Sequence, residues 1–130
     1  MTNPMIDTIR KQCKKLNVKL DLRRGYTCKT PDGEYCDGFF LPPCSKGPGT
    51  LAVATNCPTD AWQYTLCHEY THMLQWFRGD KILESKDYYE VEKVTEREAL
   101  KVAKQFGLSL TSCRRESRSY MAYLKKIRQK

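Results

Sequence analysis

The chain has 130 residues, the length of one domain, and we expect residues 1–130 to form a single folded unit. Hydrophobic residues make up 40% and charged residues 29%, which is typical of soluble globular proteins and argues against a disordered chain. No apolar run approaches the roughly 18 residues of a membrane span, and the first residues lack the apolar core of a secretory signal. We therefore expect a cytoplasmic monomer with no membrane partner.

The net charge of +8 is distributed over several basic segments. A basic surface attracts nucleic acid or acidic proteins without specifying either, so nucleic acid is an expected candidate partner. Solvated helix faces and a basic tail explain the same charges equally well. The basic segments are residues 11–19, 23–24, 114–118 and 125–130.

Seven cysteines are many for this length, but an odd number without an export signal argues against a disulfide framework. We expect reduced thiols. A second, structural zinc site is the alternative, although no C-x-x-C pair of the kind that zinc ribbons use is present. Its candidate ligands are Cys28, Cys36, Cys44 and Cys57.

The first half of the chain predicts one helix and a small sheet. Residues 4–16 have apolar side chains at helical spacing, and residues 18–22 alternate between apolar and charged side chains as a half-buried strand does. Glycine and proline mark residues 25–48 as loop with one short strand near 35–41. The apolar run at 50–55 predicts a further strand.

Helix signals dominate the second half. We expect helices over residues 58–77, 85–106 and 112 to the basic end, with glycines closing the first two. The predicted fold class is α+β, with a sheet of about three strands packed against the first of these helices and against the C-terminal ones.

The sequence of that first helix contains the motif H-E-x-x-H, from His68 to His72. Four residues are about one helical turn, so both imidazoles project from one face and can bind one tetrahedral metal ion. Glu69 is rotated by roughly 100 degrees, where it can reach a water on the metal without binding the metal itself. Zinc acidifies such a water, and a carboxylate can then accept its proton.

The third metal ligand must be aspartate, glutamate or cysteine, because the chain has only the two histidines. Glu96 is the first candidate, since it shares a helix face with Ala99 and Ala103, and an unpaired carboxylate on such a face would be costly to bury. Glu92, one turn earlier, and then Asp87 are the alternatives. A solvated Glu96 paired with a neighbouring lysine is the non-functional interpretation.

These residues resemble those of the gluzincin zinc peptidases, with His68-Glu69-Tyr70-Thr71-His72 followed by Glu96-Arg97-Glu98-Ala99. The layout is similar to the minimal gluzincins and, more loosely, to the ImmA/IrrE family of repressor-cleaving metallopeptidases. The resemblance covers residues 51–106. It implies a zincin-like domain with His68, His72 and Glu96 as zinc ligands and Glu69 as general base.

The expected function is zinc-dependent hydrolysis of peptide bonds in a protein or peptide substrate, with one Zn²⁺ per chain. Gluzincins often add a histidine or tyrosine that stabilises the oxyanion, and the candidates are Tyr88, Tyr89, Tyr120 and Tyr123. The strand at residues 50–55 is expected to pair with an extended substrate. A non-catalytic zinc-stabilised module and a DNA-recruited protease of the SprT-like kind are the alternative functions.

Overall fold

The structure is a computed structural model that describes residues 3–128. Within this range the chain forms four α-helices, a three-stranded mixed sheet and a two-stranded sheet, so the α+β prediction is confirmed. None of the helices in this range is long and apolar enough to cross a bilayer. Residues 129–130, the end of the predicted basic tail, lie outside the described range.

The helices begin and end close to the residues that the sequence predicts. In α1, the Oδ1 atom of Asn3 accepts hydrogen bonds from two backbone amides of the first turn, which caps the helix. Gly79 ends α2 with a φ of 69°, a left-handed conformation that glycine adopts without strain. The four helices are α1 (Pro4–Lys15), α2 (Thr59–Arg78), α3 (Tyr88–Gln105) and α4 (Leu110–Arg128).

The loop predicted for residues 25–48 contains more strand than expected. Two strands of two residues each, β2 (Cys28–Lys29) and β3 (Tyr35–Cys36), form a hairpin, and β4 (Gly38–Leu41) follows directly. A 3-10 helix at Lys81–Glu84 also precedes α3, in a segment for which the sequence predicted no helix or strand. The strands are β1 (Val18–Arg23), β2 (Cys28–Lys29), β3 (Tyr35–Cys36), β4 (Gly38–Leu41) and β5 (Gly49–Ala54).

The larger sheet has the strand order β1-β5-β4, with β5 parallel to β1 and antiparallel to β4. The prediction that residues 50–55 offer an edge to a substrate is therefore wrong, because β5 is paired on both sides. Its apolar sequence reflects this central position, and residues 51–54 are all buried. β1 and β4 lie on opposite sides of β5, and β4 is an edge strand.

The core lies between the sheet and the helices. Leu51 and Val53 of β5 face α1 and α2, whereas Ala52 and Ala54 pack on the opposite face with Cys28 of the hairpin. Gly38 brings β4 close to α2, since a Cβ atom there would lie 3.1 Å from Thr65 Cγ2 and 3.4 Å from Glu69 Cγ. The sheet thus rests directly on the H-E-x-x-H helix.

We expect Gly49→Ala to destabilise the fold by about 2 kcal/mol, since an added methyl group in a packed site displaces its neighbours. A Cβ at Gly49 would lie 2.5 Å from the carbonyl oxygen of Leu41 and 2.8 Å from the nitrogen of Pro43. Urea denaturation measures the change. Gly25→Ala is the control, because its nearest contact is 3.3 Å and its loss should be smaller. Equal stability of Gly49→Ala and the wild type would contradict this packing.

Candidate metal centre

His68 and His72 project from the same face of α2, as their four-residue spacing requires. Their ring centroids are 4.7 Å apart and the rings meet edge to face at 83°. The other faces of α2 are anchored in the core, where Leu66, Cys67 and Met73 are fully buried. The backbone that carries both imidazoles is therefore held firmly against the rest of the molecule.

Glu92 of α3 faces both histidines. Its Oε2 atom lies 3.0 Å from Nε2 of His72, and its Oε1 atom lies 3.5 Å from Nε2 of His68. Ligand atoms about 2.05 Å from a tetrahedral zinc are about 3.3 Å apart, which is close to both distances. Among residues 3–128, His68, His72 and Glu92 form the group of three ligands that could hold a metal ion.

Glu96 lies beside this group rather than in it. Its Oε1 atom is 2.7 Å from Nδ1 of His68, the ring nitrogen that points away from Glu92, and its Oε2 atom accepts a hydrogen bond from the hydroxyl of Tyr64. The structure thus places Glu92, the first alternative, where the sequence argument placed Glu96. Glu96 instead supports the ring of His68 from behind.

The difference between the two glutamates comes from the position of α3 along α2. Glu92 and Glu96 are about one helical turn apart on one face, and a shift of about 6 Å along the axis would exchange their places. The segment between the helices, which includes the 3-10 helix Lys81–Glu84, determines that position. Helix periodicity predicts which face is buried, but not how far one helix slides along another.

Gln75 supports His72 as Glu96 supports His68. Its Oε1 atom lies 3.2 Å from Nδ1 of His72, and its Nε2 atom donates to the hydroxyl of Thr95 at 3.1 Å. Gln75 and Thr95 are both fully buried, so their arrangement is fixed. An Nδ1 proton donated to Gln75 leaves the lone pair of His72 on Nε2, the atom that faces Glu92.

Two buried polar atoms in this centre have no hydrogen bond of acceptable geometry: Oε2 of Glu92 and Nδ1 of His68, whose 2.7 Å contact with Glu96 is an ion pair only. Glu92 is only 2% exposed, and an unsatisfied carboxylate oxygen is costly at that depth. A cation between Glu92 and the histidines would remove that cost for Oε2. Two imidazole nitrogens and one carboxylate are also a donor set typical of catalytic zinc, so the residues fit the ion.

The pKa shifts of the charged groups also support a cation at this centre. Burial lowers the pKa of His68, but contacts with Glu92 and Glu96 outweigh it and raise that pKa to about 10. Burial raises the pKa of Glu92, and the two histidines outweigh it and hold that pKa well below its ordinary value. A cation would compete with a proton at His68, because the same carboxylates attract both.

Glu69 is placed beside the centre without joining it. Its Oε2 atom is 3.7 Å from Nε2 of His68, and its side chain is 14% exposed. Burial raises the pKa of Glu69, which brings it closer to that of a base that works at neutral pH. A Cβ atom at Gly38 would lie 3.4 Å from Cγ of Glu69, so the first residue of β4 passes close to this side chain.

Two of the four candidate tyrosines bind the same oxygen of Glu92. The hydroxyls of Tyr120 and Tyr88 donate to Oε1 at 2.7 and 2.8 Å, and they lie 3.2 Å from each other. Burial raises the pKa of both, to about 12 for Tyr88, so both hydroxyls keep their protons. Tyr89, by contrast, packs beneath Arg128 and away from the histidines.

The remaining predicted ligands lie elsewhere. Asp87 caps the N-terminus of α3 through hydrogen bonds to the amides of Tyr89 and Glu90, and it also pairs with Arg128. All seven cysteines are free thiols. Within the described range they contribute to no group of three metal ligands, so the alternative of a cysteine zinc site has no geometric support.

The metal centre opens into a cleft of about 610 Å³. The β2–β3 hairpin and the start of β4 form one wall, α2 forms the floor, and α3 and α4 form the other wall. The histidine and glutamate side chains of the centre line this cleft, together with five tyrosines. The tyrosines are Tyr35, Tyr64, Tyr88, Tyr120 and Tyr123.

Three residues that support the centre are absent from the predicted site: Tyr64, Gln75 and Thr95. Their spacing carries a usable signal, because Tyr64 is one turn before His68, Gln75 is one turn after His72, and Thr95 is one turn after Glu92. Polar side chains at those positions share the faces that meet between α2 and α3. Only the observed pairing of the two helices identifies their partners.

Comparisons of the chain with protein-family models, with curated proteins and with solved structures found no match. The function therefore has to be inferred from the geometry of this centre.

Proposed function

We propose that the protein is a zinc-dependent metallopeptidase that hydrolyses peptide bonds in protein or peptide substrates, with one Zn²⁺ held by His68, His72 and Glu92. The observation that carries this proposal is the convergence of two Nε2 atoms on the buried carboxylate of Glu92, at distances close to a tetrahedral edge. Glu69 lies beside the same atoms and lines the same open cleft.

When bound, zinc supplies a Lewis acid that polarises a peptide carbonyl and lowers the pKa of water. Glu69 accepts the proton of the attacking water on its carboxylate and delivers it to the amine that leaves. Its raised pKa suits both steps, since the group must hold the proton briefly and then release it. Glu96 and Gln75 keep the two imidazole rings in the orientation that presents Nε2.

Tyr120 is the residue best placed to stabilise the negative charge on the carbonyl oxygen. Its hydroxyl is a protonated donor on the cleft side of Glu92, and its ring meets His68 edge to face at 5.6 Å. Tyr88 shares Oε1 of Glu92 and holds the Tyr120 hydroxyl in place. To donate to the oxyanion, the Tyr120 hydroxyl would turn its single proton away from Oε1 of Glu92, which needs only rotation about its C–O bond.

An extended substrate would pair with β4, which replaces β5 in this role. β4 is an edge strand, and its first residue, Gly38, lies against Glu69 and lines the cleft. Edge strands bind extended peptides through backbone hydrogen bonds. Pairing there would bring the peptide backbone alongside the H-E-x-x-H helix.

A non-catalytic zinc-stabilised module that binds nucleic acid or a protein partner is the second candidate. Such a module needs the ligands but has no use for Glu69 or for an open cleft beside it, and both are present. The location that we propose for the peptidase is the cytoplasm, where seven free thiols would remain reduced.

Metal analysis separates the roles of the two glutamates. We expect elemental analysis to find one zinc per purified wild-type chain and no zinc in His68→Ala or Glu92→Ala. In Glu96→Gln we expect zinc to bind about 10- to 100-fold more weakly. Glu98→Gln is the control, because Glu98 lies on the same helix but pairs with Arg78 on the surface. Retained zinc in Glu92→Ala, with loss in Glu96→Gln, would return the ligand role to Glu96.

The general base is tested by Glu69→Gln. We expect peptide hydrolysis to fall by about 10²- to 10⁴-fold while zinc content and thermal stability stay at the wild-type level. The measurements are cleavage of an unstructured protein substrate and elemental analysis of the same preparation. Full activity in this variant would exclude the mechanism, and a wild-type protein that holds zinc but cleaves nothing would favour the non-catalytic module.

The oxyanion role predicts that Tyr120→Phe lowers kcat by about 10²-fold with little change in KM. Zinc content is measured alongside, because the substitution also removes a hydrogen bond from Glu92. Tyr26→Phe is the control, since Tyr26 is 76% exposed and does not line the cleft. An unchanged kcat in Tyr120→Phe would remove Tyr120 from the mechanism.

A further inference from the structure

Two cysteines lie opposite one another in the β2–β3 hairpin, which forms one wall of the cleft. Cys28 of β2 and Cys36 of β3 are directly paired across the antiparallel strands, so their side chains lie on the same face of the hairpin. Residues opposed in this way have Cα atoms about 4.5 to 5.5 Å apart, and disulfides join Cα atoms about 4.4 to 6.8 Å apart. The backbone therefore holds the two cysteines within disulfide range.

The side chains of this pair also pack in one place. Cys28 is buried with Ala52 and Ala54 of the larger sheet, and Cys36 packs against the same cluster. The Sγ atom of Cys28 lies 3.7 Å from the backbone oxygen of Asp37, the residue that follows Cys36. The sulfur of the buried cysteine is thus beside the strand that carries its partner.

The two thiols differ in how a reagent can reach them. Cys28 is 1% exposed, whereas Cys36 is partly exposed and lines the cleft. A small oxidant that enters the cleft therefore meets Cys36 first, and Cys28 is the nearby thiol that can complete a disulfide. Desolvation raises the pKa of both thiols, to about 11 for Cys28, so the exchange is slow at neutral pH.

Few buried side chains hold this wall to the molecule. β2 and β3 contain two residues each, and Cys28 is the one buried residue in the range 24–38. Backbone hydrogen bonds from the amides of Ala54 and Asn56 tie the two ends of the hairpin to the segment that follows β5. A short two-stranded hairpin is marginally stable by itself. In the thiol form, the wall is expected to open locally at a small free energy.

We propose that Cys28 and Cys36 form a reversible disulfide that closes the β2–β3 hairpin and fixes this wall of the cleft. The oxidant is a low-molecular-weight disulfide. The thiolate of Cys36 attacks one of its sulfur atoms and the first small thiol leaves, and the thiolate of Cys28 then attacks Sγ of Cys36 and the second leaves. The cysteines are oxidised, the small disulfide is reduced, and the two cysteine protons pass to the released thiols.

The bond would act on the site through the residues that follow it. Asp37 connects Cys36 to Gly38, and a Cβ atom at Gly38 would lie 3.4 Å from Cγ of Glu69. Closing residues 28–36 into a loop removes most of the conformations in which the wall moves away from the sheet. Excess thiol runs the same exchange backwards, so the thiol form is the resting state in a reducing compartment. This device does not depend on the proposed peptidase function.

Oxidised glutathione tests whether the bond forms. The zinc-loaded full chain is incubated with it at about pH 8.5, where more of each thiol is ionised than at neutral pH, and the remaining thiols are alkylated. Trypsin and chymotrypsin together place Cys28, Cys36 and Cys44 on separate peptides for mass spectrometry. We expect a disulfide between Cys28 and Cys36 that dithiothreitol reverses. Unreacted thiols at both positions, or a bond from either to Cys57, would overturn the proposal.

Single variants test the order of the two steps. Cys28→Ala should stop at a glutathione adduct on Cys36, whereas Cys36→Ala should leave the buried thiol of Cys28 unmodified. Cys44→Ala is the control, because Cys44 is exposed and lies outside the hairpin pair, and it should still form the Cys28–Cys36 bond. A glutathione adduct on Cys28 in the Cys36→Ala protein would contradict the proposed order of attack.

Limited proteolysis tests whether the bond fixes the wall, without any need for peptidase activity. Trypsin cleavage after the exposed Lys29 is followed in the reduced and oxidised protein. We expect cleavage to be about tenfold slower after oxidation, dithiothreitol to restore the rate, and the oxidant to have no effect on Cys36→Ala. Equal cleavage rates in the two forms of the wild type, with the disulfide present, would overturn the claim that the bond fixes the wall.

Discussion

The buried carboxylate of Glu92 is the constraint on which the arrangement of the helices depends. It is 2% exposed and is surrounded by two imidazoles and two tyrosine hydroxyls, which come from three different helices. A charge at that depth is stable only when oppositely charged or donating groups surround it. The positions of α2, α3 and α4 relative to one another are therefore tied to a single side chain.

Small residues allow this close assembly. Ala99 and Ala103 are fully buried on α3, and neither adds bulk to a helix that must approach α2. On the other side of α2, Gly38 lets the sheet lie directly against Glu69. The H-E-x-x-H helix thus lies between a helix that brings carboxylates and a strand that offers its edge, and each neighbour contributes one part of the proposed chemistry.

The sequence predicts the relative positions of residues within one helix, but not how the helices and strands are placed against one another. His68, Glu69 and His72 belong to one helix, so their relative positions follow from helix geometry alone. The choice between Glu92 and Glu96 depends on the axial position of α3, which no periodicity encodes. The central place of β5 follows from its pairing with both β1 and β4, and an apolar run by itself indicates burial but not strand order.

Fewer buried side chains hold α4, which forms one wall of the cleft, than hold α2, which forms its floor. Only Cys113, Ser117 and Leu124 are buried along this 19-residue helix, whereas eight residues of α2 are buried. Elements with little buried surface open locally at a smaller free energy than the whole domain. A local opening of α4 would widen the cleft and break the hydrogen bond from Tyr120 to Glu92, while His68 and His72 stay in place on α2.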